Sequence, residues 1–426
     1  MRPLTPLPLA LGPELAEALP LLAAALAGEA PVAPYAAGSP PPPGFPAPGS
    51  GAVRLDSGGV PDDLAVVIGT SGSTGAPKEV LLSARALAAS IGATHRHLGG
   101  PGQWLLALPP HHIGGLQVLL RGLVAGTTTV VLPRPANPAA YPSTSGPTPP
   151  TAPGAGRFVR EFAAATTHLD PDQRRYTSLV PTQVRRLLAD EEGVQALRAF
   201  DAILVGGAAL PPELRARADR QGIVLVATYG MSETAGGCVY DGTPLEPTSI
   251  RLTDDGRILL GGATLAHGYL SDPARTAAAF TTDPDGERWF RTDDHGIRMP
   301  NGRLHVTGRL DDLINTGGLK VAPRPVEEAL LAHVPEAGEV VVVGTPDPEW
   351  GERVVAVLVP AAPGSLRPGE ATATTHLPSL TEVRARLRGA LPDHALPKEI
   401  RWVTAIPTRG PGKPDRRAVA DALRQG

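Results

Sequence analysis

The chain has 426 residues, 42% of them hydrophobic, enough for two or three domains around a sizeable core. Its 39 basic residues nearly balance 42 acidic ones, which argues against nucleic acid or an anionic membrane as the main partner. A single cysteine, Cys238, excludes an intramolecular disulfide and a Cys-based zinc site, and a reducing, cytoplasmic location fits it.

Leu15, Leu19, Leu22 and Leu26 recur at helical spacing, so 14–27 reads as an amphipathic surface helix. Prolines interrupt the apolar N-terminal run and Glu14 and Glu17 lie inside it, so it does not read as a signal peptide. No stretch is long and charge-free enough for a membrane span. Three Pro-rich tracts, 36–51, 133–156 and 361–379, read as mobile surface loops.

Between these tracts, β-branched runs at 64–70, 126–132, 176–180, 202–207 and 222–230 read as buried strands. Helical patterns at 83–98, 182–200 and 211–222 separate many of them. This alternation predicts an α/β fold whose large N-terminal domain holds helix-covered, mostly parallel sheets. After residue 308 the texture changes. Helical 326–334, strands 339–347 and 353–360, and helical 381–391 predict a small α+β unit. The expected domains are 1–308 and 309–426.

TSGSTGAPKEV (70–80) follows a buried strand. Small and hydroxylated residues there let backbone N–H groups and side-chain hydroxyls wrap phosphate oxygens, with Lys78 adding charge. It is not a Walker A loop, because Gly75 is followed by Ala76-Pro77 rather than by Lys and Ser or Thr. The bland alternative is a Ser/Gly linker, but a linker does not ordinarily adjoin an apolar strand and end in Pro-Lys.

This string resembles the phosphate loop of the adenylate-forming superfamily, which includes acyl-CoA synthetases, luciferases and peptide-synthetase adenylation domains. Further motifs follow in the family's order. The resemblance implies a mobile C-terminal lid and use of ATP and Mg²⁺, with CoA as co-substrate. It implies nucleotide contacts at Thr70, Ser71, Gly72, Ser73, Thr74, Gly75 and Lys78. Glu79 stands where the family usually has Gly and is expected to point away from the phosphates. VGGAAL (205–210) resembles the adenine-side loop, which implies Gly206, Gly207 and Ala208. YGMSETAGG (229–237) resembles the Tyr-Gly-x-Thr-Glu core. It implies Tyr229 and Gly230 by the adenine, Ser232 on the phosphates and Glu233 on the metal. WFRTDDHG (289–296) resembles the Arg-Thr-Gly-Asp segment, with Asp293 replacing Gly and Asp294 implied on the ribose. GRLDDLINTGG (308–318) implies nucleotide contact by Arg309 and a hinge at Asp311. TRGPGKPDR (408–416) implies Lys413 as the lysine that reaches the α-phosphate and the carboxylate.

LALPPHHIGGLQVLLRGLVAG (106–126), SLVPTQVRRLL (178–188) and YGMSETAGGCVYDGTPL (229–245) resemble o-succinylbenzoate–CoA ligases of menaquinone biosynthesis, actinobacterial ones in particular. The implied acid pocket lies among His111, His112, Gln117, Thr182, Gly236 and Cys238. One of the two histidines is expected simply to pack at a strand–helix turn, and Cys238 is expected to be a small buried residue rather than a nucleophile. Two alternatives stay open: a ligase for another aryl or fatty acid, and a non-catalytic nucleotide-binding relative. The catalytic pair Glu233 and Lys413, both present, speaks against the second. The partners expected are small molecules; oligomeric state is not legible.

Overall fold

A computed structural model describes residues 4–41, 61–70, 78–133, 155–361, 377–409 and 413–425. Most of the three Pro-rich tracts, and Ser71–Gly75 of the phosphate loop, lie outside the described residues.

Three sheets build the described part of the first 309 residues. In one, the strands Thr5–Leu9, Val32–Ala36 and Leu64–Thr70 pair in parallel; Lys78–Ser83 then runs antiparallel, followed by Gly268–Tyr269. In the second, Val130–Val131, Gln103–Leu106, Arg175–Leu179, Ala202–Val205 and Leu225–Met231 are all parallel. Gly236–Tyr240 and Thr243–Pro244 complete its edge antiparallel. The helices Ala84–His97, Ile113–Ala125 and Leu19–Leu26 pack between these sheets around Leu22, Ile68, Leu87, Ile91, Trp104 and Leu116. The other face of the second sheet is covered by Ala155–Thr166, Pro181–Leu188, Glu191–Arg198 and Pro212–Arg220. Continuous apolar strands are what two covered faces demand.

The third sheet, from Thr248–Leu252 to Leu304–Arg309, is wholly antiparallel. Within the first 309 residues, parallel pairing is thus confined to the first two sheets. The third escaped the sequence reading because its strands are partly exposed and mix polar with apolar residues.

Other local departures have physical causes. The span 182–200 forms two helices, because Asp190 accepts hydrogen bonds from the Glu192 and Gly193 N–H groups and starts a new one. The span 126–132 contributes only Val130–Val131, since Gly126 caps the preceding helix and Thr127 binds the Gly102 carbonyl. The span 14–27 splits into a 3₁₀ turn, Pro13–Ala18, and a helix, Leu19–Leu26, each with Pro in its first turn.

After Arg309 comes a short turn, Leu310–Asp312. Beyond it, Leu319–Val321, Ile314–Thr316, Gly351–Pro360 and Ala337–Asp347 form a sheet, with Glu399–Trp402 alongside. The helices Pro323–His333 and Leu380–Leu387 bury Val326, Leu330, Val383 and Leu387 against it. A two-stranded piece, Thr408–Arg409 with Lys413–Pro414, precedes the helix Arg416–Gln425. No helix among the described residues is long and apolar enough to cross a membrane.

Candidate active site

A cleft of about 3220 Å³ runs along the ends of the second sheet and reaches both the third sheet and the C-terminal unit. Strand ends of a parallel sheet are where such folds bind ligands, because helix starts and loops converge there.

At one end of the cleft charges are paired. The Tyr229 hydroxyl donates to Asp294 Oδ2 at 2.8 Å. Burial first, then the Asp294 carboxylate, hold the phenol well above its ordinary pKa. Arg309 lies 3.8 Å from Asp294, 3.3 Å from Asp293 and 2.8 Å from Asp311. Burial opposes its charge, but these carboxylates outweigh burial and raise its pKa. Gly230 must be glycine here: a Cβ would run into the Gly236 carbonyl of the neighbouring strand. Gly206, Gly207 and Ala208 line the same wall, with Gly207 at a φ of +78°.

A few residues along, Ser232 and Glu233 are buried in a short turn, Ser232–Thr234. The Glu233 carboxylate accepts from the Tyr269 hydroxyl at 2.9 Å. Lys78 Nζ sits 5.5 Å from the centre of the Tyr269 ring, within cation–π reach. Thr70 lies opposite Lys78 on the paired strand and lines the cleft. Glu79, one residue beyond Lys78, does not line it, as strand alternation requires. Burial pushes its carboxyl up to about 7.

The other end is built differently. The His111 and His112 rings lie 4.3 Å apart. His111 Nδ1 is buried without a hydrogen-bond partner, and burial, then His112, lower its pKa to about 4. His112 is exposed on the cleft. Gln117 Nε2 donates to the Ala235 carbonyl at 2.5 Å, while its Oε1 has no partner. Gly236 leaves room for that side chain: a Cβ there would stand 3.3 Å from Gln117 Cγ. Thr182 lines the cleft from the start of Pro181–Leu188.

One turn beyond Gln117 on the same helix is Arg121, 3% exposed and lining the cleft. Its guanidinium lies 5.1 Å from the Trp104 ring, its Nε has no hydrogen-bond partner, and no acidic side chain among the described residues pairs with it. Burial drags its pKa down. A buried, unpaired guanidinium is costly unless a ligand anion completes it.

The structure thus joins Tyr229, Asp294 and Arg309 in one contact group, and Lys78 and Glu233 in another through Tyr269. His111, His112, Gln117 and Gly236 line the same cleft, His111 against His112 and Gly236 against Gln117. Asp311 lies in the turn Leu310–Asp312, and Lys413 on the short strand Lys413–Pro414. Cys238 is corrected: it points away from the cleft into a core with Val239, Ile258 and Leu260, because Gly236 and Gly237 take the cleft side of a bulged strand. Burial pushes its thiol up to about 12, the behaviour of an inert cysteine. Sequence reasoning missed Tyr269 and Arg121. Nothing local marks Tyr269, whereas a lone arginine inside the apolar run LQVLLRGL was a usable signal for Arg121.

A family model described as AMP-binding enzyme matches residues 23–270, and one described as AMP-binding enzyme C-terminal domain matches 326–413.

The chain belongs to the AMP-binding enzyme family.

It is 42% identical, over 87% of both chains, to a probable 2-succinylbenzoate–CoA ligase from Mycobacterium tuberculosis. ATP-bound MatB from Rhodopseudomonas palustris aligns with a TM-score of 0.68 at 25% identity, over 86% of this chain and 69% of that one. The o-succinylbenzoate CoA synthetase from Bacillus subtilis, solved with its acyl-adenylate intermediate, aligns at 0.65 over 86% and 70%. At 24% identity that likeness speaks for the fold.

Proposed function

We propose that this AMP-forming ligase activates 2-succinylbenzoate as an acyl-AMP and passes the acyl group to coenzyme A, the reaction its resemblance assigns to menaquinone biosynthesis. Its activity would then be cytoplasmic. The observation that carries the choice of acid is Arg121. 2-Succinylbenzoate has two carboxylates: one reacts, and the other needs a counter-charge. A guanidinium on a nearly buried side chain, one helical turn beyond Gln117 and lining the cleft, supplies that charge, and the relative at 42% identity carries the same substrate in its name.

The reaction needs two things. A carboxylate is a poor electrophile, so its oxygen attacks the α-phosphorus of ATP, and pyrophosphate leaves. The CoA thiol, losing its proton, then attacks the acyl carbon of the acyl-AMP; the thioester forms and AMP leaves. In the first step several negative charges meet, and the catalytic work is positioning and charge stabilisation. Tyr229 and the Gly206–Ala208 loop would flank the base, Asp294 would accept the ribose hydroxyls, and Lys78 with Ser232 would meet the phosphates. Lys413 would bring positive charge to the point where carboxylate and α-phosphate join.

The residues present fit a magnesium ion shared with nucleotide. Among the described residues no group of three His, Cys, Asp or Glu side chains could cage a metal, but Glu233 offers one buried carboxylate. Mg²⁺ is commonly held by one or two carboxylates plus phosphate oxygens. When bound there it would neutralise phosphate charge. Asp311 would be the joint about which the unit 309–426 rotates between the two steps.

The test is a panel of acids, with pyrophosphate release as the readout. 2-Succinylbenzoate should give the highest kcat/KM, well above benzoate and medium-chain fatty acids. A monocarboxylate turned over more readily than the diacid would reject the assignment.

A further inference from the structure

Arg416 is held by three separate segments. Its guanidinium donates to both carboxylate oxygens of Glu327, at 2.5 and 2.9 Å, and to the Val342 carbonyl at 2.7 Å. Its Nε lies 3.3 Å from Asp312 Oδ2. Glu327 also accepts the Val342 N–H at 2.8 Å. The helix Pro323–His333, the strand Ala337–Asp347, the turn Leu310–Asp312 and the start of Arg416–Gln425 therefore meet at one side chain. Arg416 is half-buried. Burial opposes its charge, yet Glu327 and Asp312 outweigh it and raise its pKa. A two-pronged guanidinium–carboxylate contact of this kind fixes orientation as well as charge.

Fastening the last helix would need only Glu327 and Val342. The Asp312 contact does something more, because Asp312 directly follows Asp311. Arg416 in turn lies three residues after Lys413. Next to Lys413, the strand Lys413–Pro414 pairs with Thr408–Arg409, and the Asp415 N–H donates to the Pro407 carbonyl at 2.8 Å. On the other side of the turn, Arg309 is bound to Asp293 and Asp294 of the strand Arg288–Arg298. Two guanidinium groups thus flank the turn. Arg309 ties it to the third sheet, and Arg416 ties it to the C-terminal unit.

We infer that Arg416 is a positioning residue for adenylation: it locks the loop of Lys413 to the far side of the turn, so that rotation at 309–311 delivers the lysine in register. The inference rests on the ligase reading above. Without the clamp, Asp312 and the Lys413 loop move independently, and the lysine reaches the α-phosphate less often. The later step, which does not use Lys413, is left intact.

The experiment uses the full-length enzyme with Arg416→Gln, Arg416→Lys and Asp312→Asn, and Lys413→Ala as reference. Adenylation is followed by pyrophosphate release, and thioester formation is followed separately from supplied 2-succinylbenzoyl-AMP. Arg416→Gln should lower the adenylation kcat about 10- to 100-fold while the KM for ATP and the thioester step stay within about threefold. Arg416→Lys, which keeps the charge but loses the fork, should restore part of the loss. Asp312→Asn should cost about 3- to 10-fold alone and add little on top of Arg416→Gln, the mark of a shared contact. Asp312 is only partly buried, so this variant decides the matter even if Arg416→Gln does not fold. Equal loss in both half-reactions with Asp312→Asn would overturn the inference. So would unchanged adenylation in the Asp312 and Arg416 variants beside a slow Lys413→Ala, and that result would leave the ligase reading standing. Wild-type adenylation by Lys413→Ala would sink both.

Discussion

The two ends of the cleft solve opposite problems. At the end proposed for the nucleotide, key polar groups among the described residues already have protein partners: Tyr229 with Asp294, Arg309 with three carboxylates, Glu233 with Tyr269. At the acid end the decisive atoms have none: His111 Nδ1, Gln117 Oε1 and Arg121 Nε are all buried and unsatisfied. Paired groups are preorganised, which suits a ligand that stays the same whichever acid is used, such as ATP. Unpaired buried groups cost stability, and they persist where a ligand completes them. On the proposed assignment, the groups that would meet the nucleotide are already paired in the fold, whereas those that would meet the acid leave hydrogen bonds open.

The largest effect expected is at Lys413, the residue proposed to meet both the carboxylate and the α-phosphate. Lys413→Ala should slow acyl-AMP formation by about 10²- to 10³-fold or more, the loss of about 3–4 kcal/mol of transition-state charge stabilisation. Thioester formation from supplied acyl-AMP should barely change. Parallel loss in both half-reactions would show that the lysine acts through folding or general binding.

Next is the acid end itself. Arg121→Met removes an unpaired buried charge and fills its space with an apolar chain, so the protein should fold and hold its thermal stability. Its kcat/KM for 2-succinylbenzoate should fall about 30- to 100-fold, equivalent to about 2–3 kcal/mol, with little change in the KM for ATP. A variant that loses ATP and acid binding equally would break the division between the two ends.

How much of this was legible beforehand follows the same division. The nucleotide end was readable because its residues sit in short contiguous strings at strand ends, where local sequence sets local geometry: Tyr229, Ser232 and Glu233 fall within five residues. Arg309 and Asp294 come from adjacent strands and still meet, because the pairing register sets Asp294 opposite Arg309. The acid end was only half readable. Arg121 meets Trp104 and the cleft through helix packing, and Tyr269 reaches Glu233 across 36 residues. Tyr269 has no local signature, and the lone arginine in LQVLLRGL marks Arg121 without saying what it meets. Cys238 was misplaced because a bulge in its strand shifts which residues face the cleft. The antiparallel third sheet was passed over because half-exposed strands lack the apolar runs that mark buried ones.

A smaller effect tests the pairing at the nucleotide end. Tyr229→Phe deletes one hydrogen bond to Asp294 and should raise the KM for ATP only about 2- to 10-fold, from the usual net value of about 0.5–1.5 kcal/mol. Acid preference across the panel should stay the same. A changed preference would mean that the two ends are coupled through the strand Gly236–Tyr240.

The smallest effect concerns stability alone. Glu79 has a folded-state pKa of about 7, above the ordinary carboxylate value, because of burial. The unfolded chain therefore releases its proton first, and Glu79 lowers stability as pH rises from about 4.5 to about 7. Glu79→Gln should be more stable than the parent at pH 8, with that advantage disappearing towards pH 4.5. Chemical denaturation at the two pH values measures this, and an advantage present only at the lower pH would reverse the sign of the account.

The most direct test of the central claim is product identity. Purified protein is incubated with ATP, Mg²⁺, CoA and 2-succinylbenzoate, and the mixture is resolved by mass spectrometry. The account predicts 2-succinylbenzoyl-CoA and AMP in equal amounts, with 2-succinylbenzoyl-AMP alone when CoA is withheld. Formation of neither species from this acid, under conditions where the enzyme converts a monocarboxylic acid to its CoA thioester, would contradict it.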